Sequence, residues 1–340
     1  MRRTLSRRTI LALGCLWAAA LWAQEAGAAG EKCFLWEARS ATNAVYLLGS
    51  IHLARPDLYP LDRRIEEAFE ASPVLVVEAD ITRPETMIET SLLIREKGMY
   101  PQGESLDDHL SRETLQRLET HLESLGLGME PFRAFQPWIL ASTLTTMELF
   151  KKGFSPQYGI DMYFLNKALG RKQIIELEGV QAQIAMLAGF PDDLQESFLL
   201  ASLEEVDALE EKVDAILSAW KDGNAAAMQD TFREAMEKDP RFLLLSQKLF
   251  DERNLDMAEK IEGYLRSDRS HFVVVGSGHL LGEKGILALL HAREYTVEQL
   301  EKGSGEGPED SEAAEVVEEA LPETARAQNP SATPPQRFPQ

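Results

Sequence analysis

The sequence contains very little cysteine and no apolar run long enough to cross a membrane. Only Cys15 and Cys33 are cysteines, which excludes a disulfide framework and a metal site built from several thiolates. The longest apolar run, Ile10 to Ala23, has 14 residues, fewer than the roughly 20 that span a bilayer. We therefore expect a fold held by its hydrophobic core, with no membrane span in the mature form.

Basic residues are also scarce. The chain carries 56 acidic against 35 basic residues and a net charge of −21, so most of its surface repels a phosphate backbone and no nucleic-acid partner is expected. The 340 residues are 44% hydrophobic and 27% charged, which excludes collagen-like and wholly disordered chains. This composition predicts a globular body of one large domain or two modest ones.

Several familiar catalytic signatures are missing from the sequence. It has no Gly-x-Ser-x-Gly elbow, no His-Glu-x-x-His helix and no P-loop lysine signature. The serine-elbow hydrolases, the zinc proteases with that helix and the P-loop nucleotidases are therefore not indicated.

Both ends of the chain are predicted to lie outside the fold. Residues 1–28 have arginines, then the apolar run, then Ala26-Gly27-Ala28, which is typical of a cleaved export signal and predicts a periplasmic or secreted protein. The pair Arg7-Arg8 leaves the twin-arginine route open beside the general one, and an uncleaved anchor is the alternative. Residues 303–340 are rich in Gly, Pro, Ser, Ala and Glu and predict a disordered acidic tail.

Between these ends, the apolar pattern predicts an α/β fold. Four short, mostly apolar runs predict buried strands at 44–48, 74–77, 172–177 and 271–275. A helical pattern over 61–70 predicts a right-handed crossover that makes the first two strands parallel neighbours. Two stretches, about 105–152 and 192–265, are helix-rich. We therefore predict a domain over 29–302 with a mostly parallel sheet formed by N- and C-terminal βαβ-type segments and large helical insertions.

Two of these strands end in the same kind of turn. Gly49-Ser50-Ile51-His52 follows the first strand, and Gly276-Ser277-Gly278-His279 follows the fourth. The second and third strands end at Glu78 and Glu178. Because ligands gather beyond the carboxyl ends of parallel strands, we expect both imidazoles and both carboxylates at one edge of the sheet.

This set of side chains is compatible with two kinds of chemistry. Imidazole and carboxylate are ligands for a divalent ion of the Zn, Mn, Co or Fe type. The same groups suit metal-free acid–base chemistry, in which a carboxylate orients a histidine of near-neutral pKa. The residues alone leave both readings open.

Ordered motifs along the chain resemble the TraB/PrgY/GumN family over about residues 33–300. The segments that carry the resemblance are Phe34-Leu35-Trp36-Glu37, Val45 to His52, Asp57 to Leu61, Val76 to Asp80, Tyr158 to Phe164, Leu177-Glu178 with Gln181, Arg253-Asn254, and Gly278 to Gly282 with Gly285 to Leu290. The resemblance implies a fold similar to the erythromycin-esterase and haem-binding ChaN-like proteins, with paired Gly-x-x-His and Glu motifs lining one cleft. Those motifs fall on His52, Glu78, Glu178 and His279.

The resemblance also implies a class of activity. Animal TIKI members are metal-dependent proteases acting on Wnt proteins, and the PrgY and TraB members shut down peptide pheromone. We therefore predict an exported metal-dependent hydrolase, and more specifically a peptidase acting on a peptide or protein substrate. The acidic body favours basic or neutral peptides. The alternative is a non-catalytic periplasmic binding protein for a peptide or a metal-bearing, haem-like ligand. The sequence predicts no oligomeric state.

Each candidate site residue has a predicted role in metal binding, catalysis or substrate binding. His52 and His279 bind a divalent metal (Mn, Co, Zn or Fe) together with Glu78 or Glu178, and the spare carboxylate acts as general base on the bound water. Arg253 binds a substrate carboxylate or stabilises an oxyanion, or it only pairs with neighbouring acids. The expected substrate-binding and supporting residues are Asn254, Tyr158 and Asp161.

Overall fold

The computed structural model describes residues 31–204, 209–237 and 240–303. The predicted export signal over 1–28 and all but the first residue of the predicted tail over 303–340 lie outside the described residues. Both therefore stay predictions, as does the export of the protein.

A single mixed sheet organises the described residues. Its strands are β1 (Lys32–Arg39), β2 (Ala44–Ser50), β3 (Val74–Val77), β4 (Gln173–Glu176), β5 (His271–Gly276) and β6 (Thr296–Glu301). Their order is β4-β3-β5-β2-β1-β6. The four strands from β4 to β2 run parallel to one another, and β1 pairs antiparallel with both β2 and β6. The predicted mostly parallel α/β sheet is thus confirmed.

The strand order corrects one expectation. β2 and β3 are parallel, as predicted, but they are not neighbours, because β5 lies between them and pairs with both. All six residues of β5 are buried, and its continuous apolar run suits the centre of a sheet covered on both faces. The crossover from β2 to β3 therefore skips one strand position in the sheet, and β5, from later in the chain, occupies it.

The strands β1 and β6 are absent from the sequence prediction. β6 (Thr296–Glu301) alternates half-buried and exposed residues, so it carries no apolar run. β1 is apolar, but a short turn between Arg39 and Ala44 joins it to β2, and the two strands pair antiparallel. A search for parallel strands overlooks such a local pairing.

Helices cover the sheet and fill the two stretches predicted to be helix-rich. They are α1 (Arg63–Ala71), α2 (Pro84–Lys97), α3 (Leu106–His109), α4 (Arg112–Ser124), α5 (Pro137–Lys151), α6 (Ile160–Ala168), α7 (Val180–Ala188), α8 (Asp192–Glu204), α9 (Leu209–Lys221), α10 (Ala225–Glu237), α11 (Pro240–Ser246), α12 (Glu252–Leu265), α13 (Ser277–Leu280) and α14 (Ile286–Ala292). A π-helical turn, Gln247–Asp251, joins α11 to α12. None of the described helices is long and apolar enough to cross a membrane.

Three hydrophobic clusters hold these elements. The largest surrounds the sheet and includes Phe34, Phe69, Phe164 and Phe272, all fully buried. A second cluster lies among α3, α4, α5 and α8, and a small third one joins the loop before α8 to α11. The parallel strands end at one edge of the sheet, so the residues that follow them meet there.

Candidate active site

The predicted site residues meet in one cleft at the carboxyl edge of the sheet. The cleft has a volume of about 440 Å³, and His52, Glu78, Arg253 and His279 line it. Glu178 lies behind this lining and reaches the cleft through Arg253. The strands β2, β3, β4 and β5 each deliver one of the four His and Glu side chains, as the sequence predicts.

His52 is held by Asp161 of α6. Its Nδ1 lies 2.7 Å from Asp161 Oδ2, which also accepts a hydrogen bond of 2.5 Å from the Ser50 hydroxyl. The backbone is tight here, because a β-carbon at Gly159 would lie 2.3 Å from the carbonyl oxygen of His52. Only glycine at this position lets α6 begin close enough to bring Asp161 to the ring.

The contact between His52 and Asp161 sets the charge of both groups. The negative charge of Asp161 raises the pKa of His52 to about 9. Burial by itself would raise the pKa of Asp161, but His52 and the Ser50 hydroxyl lower it overall. The His52 side chain is 56% exposed and faces the cleft. At neutral pH it is therefore an imidazolium whose Nε2–H is open to a ligand.

His279 is oriented by a neutral partner instead. Its Nδ1 lies 2.7 Å from Asn254 Oδ1, while Asn254 Nδ2 donates to the carbonyl of Lys284 at 2.9 Å. Because Asn254 Oδ1 can only accept, Nδ1 of His279 carries the proton and Nε2 presents its lone pair. Burial lowers the pKa of His279 to about 4, so the ring is neutral at pH 7.

The two carboxylates are joined by Arg253 and Gln183. Arg253 donates to Glu178 Oε1 from Nε at 2.8 Å, and its Nη2 lies 2.5 Å from Glu178 Oε2 and 3.0 Å from Glu78 Oε2. The Gln183 amide donates to Glu78 at 3.0 Å and to Glu178 at 3.2 Å. Burial would raise the pKa of Glu178, but Arg253 lowers it overall. The remaining oxygen of Glu78 accepts the backbone N–H of Gly276 at 2.7 Å.

The reactive groups converge over Gly276 at the end of β5. A β-carbon at this position would lie 3.3 Å from His52 Nε2, 3.3 Å from Glu78 Oε1 and 3.6 Å from His279 Cδ2. Glycine thus leaves open a small space that two imidazoles and a carboxylate surround.

The predicted ligand set, two histidines with one of the two glutamates, does not form a metal centre in this arrangement. Among the described residues, no group of three or more His, Cys, Asp or Glu side chains is placed to hold a metal ion. Glu178 is engaged by Arg253 through both oxygens, and the same guanidinium contacts Glu78. A cation bound between these carboxylates would be repelled by Arg253. The two histidines do have the Nδ1 anchors that metal-binding histidines usually have, and the metal stays a prediction.

Among the remaining predicted residues, Asp161 and Asn254 orient the two histidines from behind, and Arg253 pairs with acids. Tyr158 lies in a short 3₁₀ turn before α6 and does not line the cleft; its carbonyl accepts a hydrogen bond of 2.9 Å from the Tyr59 hydroxyl.

Two features of the site were missed by the sequence analysis. The motif that carries the family resemblance includes Gln181, whose amide donates to Glu89 outside the cleft, whereas Gln183 joins the two glutamates. The position of Gln183 on the first turn of the helix that follows Glu178 is the signal that could have found it. The second feature is an apolar wall supplied by helices distant in sequence, which includes Phe198, Phe232 and Phe250.

Comparison with known proteins places this chain in a family. A sequence profile described as the TraB/PrgY/gumN family matches residues 34–299. The chain belongs to this family. The match spans every strand that delivers a cleft residue, and it confirms the resemblance drawn from the motifs.

Relatives within the family are distant. The uncharacterized protein YbaP of Escherichia coli K12 is 28% identical over 249 residues, which cover 72% of this chain and 87% of YbaP. Metalloprotease TIKI2 of Xenopus tropicalis is 24% identical, over 79% of this chain and 60% of TIKI2. Human metalloprotease TIKI1 is 23% identical, over 79% of this chain and 62% of TIKI1. No solved structure gives a significant match to this chain.

Proposed function

We propose that this member of the TraB/PrgY/gumN family is a hydrolase that cleaves peptide bonds. The observation that carries the proposal is the arrangement of the two histidines. Each has its Nδ1 fixed by a partner behind it, Asp161 or Asn254, and both rings border the space over Gly276. The TIKI relatives named metalloproteases support peptides as the substrate class.

In the proposed reaction, His279 acts as the general base. Its neutral ring has the lone pair on Nε2, because Nδ1–H donates to Asn254. A water molecule in the cleft attacks the carbonyl carbon of the peptide bond while Nε2 takes up one of its protons. The product of this step is a tetrahedral intermediate with a negatively charged oxygen.

His52 completes the proposed reaction as the general acid. Its imidazolium stabilises the developing negative charge and then gives the Nε2 proton to the leaving amine nitrogen as the C–N bond breaks. The pKa values of the two histidines are moved apart, to about 9 for His52 and about 4 for His279. Such a pair has one ring protonated and one free at neutral pH, which is the condition that acid–base catalysis requires.

Glu78 and Arg253 are positioning residues in this scheme. Glu78 accepts the N–H of Gly276 and the Arg253 guanidinium, which fixes the floor of the space between the rings. Arg253 donates from all three nitrogens to protein acceptors. It therefore holds the cleft together, and we do not assign it to a substrate carboxylate.

One experiment tests both the proposed reaction and the predicted divalent metal (Mn, Co, Zn or Fe). The test uses the full chain, incubated with a peptide library, with products identified by mass spectrometry before and after treatment with a chelator. His52→Ala and His279→Ala are compared with His291→Ala, which removes an exposed histidine of α14. Metal content is measured on each folded sample.

We expect cleavage that survives chelation, is lost in the His52 and His279 variants, and is unchanged in the His291 variant. The proposed reaction of His279 and His52 uses no metal ion. Cleavage that is lost on chelation and restored by one metal would therefore overturn this reaction and favour the metal-dependent hydrolase. Absence of cleavage by folded wild-type protein would overturn the hydrolase.

A second candidate is a binding protein that captures a peptide or a metal-bearing ligand without turnover. The observation that favours it over a metal-dependent hydrolase is the engagement of both carboxylates by Arg253, which leaves neither free as the general base of that reaction. Peptides retained by the folded protein and recovered uncleaved would support this candidate against the hydrolase.

A further inference from the structure

The cleft has two chemically different sides. The strand ends supply the polar side, which carries the two histidines and Glu78. The opposite side is apolar and comes from α7, α8, α10 and the π-helical turn. Its side chains are Met186, Leu187, Phe198, Phe232, Leu249 and Phe250.

The six side chains of this apolar side, called the wall below, are held in place by packing against the rest of the protein. Each of the six side chains is half-buried, so each has one part in the protein and another facing the cleft. Phe198 packs against the second and third hydrophobic clusters, Leu249 against the third, and Phe232 against the core around the sheet. Large apolar side chains that line one concave surface in this way are typical of a ligand site.

Arg253 and Glu78, two charged side chains of the cleft lining, are already paired, and the imidazolium of His52 lies on the polar side, across the cleft from the wall. Arg253 is neutralised by Glu178 and Glu78, and Glu78 also accepts from Gly276 and Gln183. A substrate carboxylate or ammonium group placed against the wall would lose water without gaining a partner. An uncharged apolar group would gain from burial there.

The wall directly adjoins the reactive groups. The Phe250 ring meets the His279 ring edge-on, with 5.2 Å between centroids. A β-carbon on Gly278 would lie 2.8 Å from Phe250, so the turn that carries His279 packs on this ring. A side chain seated on the wall therefore lies beside the atoms at which His279 would act.

We propose that this wall is a specificity pocket for a large uncharged apolar side chain in the residue next to the cleaved bond. The inference rests on the proposed peptide hydrolysis and names its substrate class. It adds a preference for an apolar residue at one position to the expectation of basic or neutral peptides that net charge gives.

A peptide series tests this preference. One residue in a common scaffold is varied among Leu, Phe, Ala, Lys and Asp, and both kcat/KM and Kd are measured with the full chain. We expect Leu and Phe to exceed Ala by about tenfold or more in kcat/KM, which is the scale of discrimination by an apolar pocket, and Lys and Asp to fall below Ala.

Two wall variants sharpen the test. Phe250→Ala should reduce the preference for Phe over Ala, whereas Leu255→Ala, at an exposed position of α12, should leave it unchanged. Leu187→Lys places a cation in the wall and should raise kcat/KM for the Asp peptide relative to the Leu peptide. Misfolding would lower kcat/KM for both peptides in proportion, so it cannot produce this change in their ratio.

The two readouts separate this inference from the proposed hydrolysis. If no peptide is cleaved but Kd follows the apolar order and changes in the variants, the hydrolase is wrong and the apolar pocket stands. If cleavage occurs with equal kcat/KM and Kd across the series, the hydrolase stands and the pocket is overturned. Equal Kd without cleavage overturns both.

Discussion

At the scale of single residues, the site depends on what lies behind each histidine. The sequence offers two nearly identical Gly-Ser-x-His turns, yet the two rings differ in charge at neutral pH. The difference comes from one residue each: a carboxylate, Asp161, behind His52, and an amide, Asn254, behind His279. Neither turn contains this information, because Asp161 and Asn254 are more than 20 positions away from the histidines they touch.

This difference predicts a bell-shaped dependence of kcat/KM on pH. Below about pH 4 His279 becomes protonated and can no longer act as base, and above about pH 9 His52 loses the proton that it must donate. Asn254→Asp puts a negative charge beside His279 and should move the acidic limb to higher pH. Asp161→Asn removes the charge beside His52 and should move the alkaline limb to lower pH.

Steady-state kinetics between pH 3.5 and 10 check this prediction, with circular dichroism at each pH to show that the protein is folded. His291→Ala serves as the control and should leave both limbs in place. Limbs that stay fixed in both the Asp161 and Asn254 variants would contradict the assignment of base and acid.

Arg253 yields a prediction about stability. Its side chain is 15% exposed and lies between Glu78 and Glu178, which are 9% and 14% exposed. Arg253→Met leaves two largely buried carboxylates without a cation and should cost about 3–5 kcal/mol in the free energy of unfolding. The double variant Arg253→Met/Glu178→Gln removes one of these charges and should recover part of the loss.

Urea unfolding measures both variants. The matched control is Arg171→Met, which removes an exposed pair with Glu70 and should cost less than about 1 kcal/mol. An Arg253 variant that is no less stable than the Arg171 variant would show that water reaches the two glutamates and that Arg253 does not hold the cleft together.

At the scale of elements, the strand ends explain why much of the site could be predicted. A continuous apolar run marks β3 and β5, and parallel strands bring their carboxyl ends to one edge, so Glu78 and His279 could be expected together. The position of β5 between β2 and β3 could not be read from a local pattern, because it depends on a segment about 200 residues further along the chain. The apolar wall could not be predicted from the sequence for the same reason. Phe198, Phe232 and Phe250 lie on three separate helical segments whose apolar patterns look like ordinary core.

The end of β5 gives a prediction based on two glycines. Gly276 has φ −49° and ψ 135°, a backbone conformation that alanine adopts without strain. A β-carbon there would crowd Glu78 Oε1 and His52 Nε2 at 3.3 Å. Gly276→Ala should therefore lower kcat/KM by about 100-fold, the effect of displacing reacting groups by roughly 1 Å, with little change in melting temperature.

Gly263→Ala is the matched control for this substitution. A β-carbon at Gly263 in α12 meets nothing within 4 Å, so this change should leave activity intact and stabilise the protein by about 0.5–1 kcal/mol. Kinetics and thermal unfolding of the two variants give the result. Normal activity in the Gly276 variant would place the reaction elsewhere in the cleft.

At the scale of the whole molecule, the two ends of the folded body are joined. β6 pairs with β1, and the buried Cys33 of β1 has its Sγ 3.4 Å from the carbonyl of Leu300. Lys302 N–H donates to the carbonyl of Glu31 at 2.8 Å, and the Gln299 amide donates to the carbonyl of Cys33. The same chain folded only as far as α14 would leave β1 as an open sheet edge.

These contacts predict where the body can be shortened. In a Cys15→Ser background, a chain that ends at Gly303 should keep the melting temperature of the full chain. It should also keep Cys33 unreactive toward a thiol reagent at pH 8, because burial raises the pKa of the thiol to about 12 and leaves almost no thiolate. A chain that ends at Glu294 lacks β6 and should lose several degrees of stability, roughly what 1–2 kcal/mol amounts to at this size. Its Cys33 should react within minutes. If the shorter chain instead keeps both its melting temperature and its protected thiol, β6 contributes nothing to the fold and the body ends before the strand that closes the sheet.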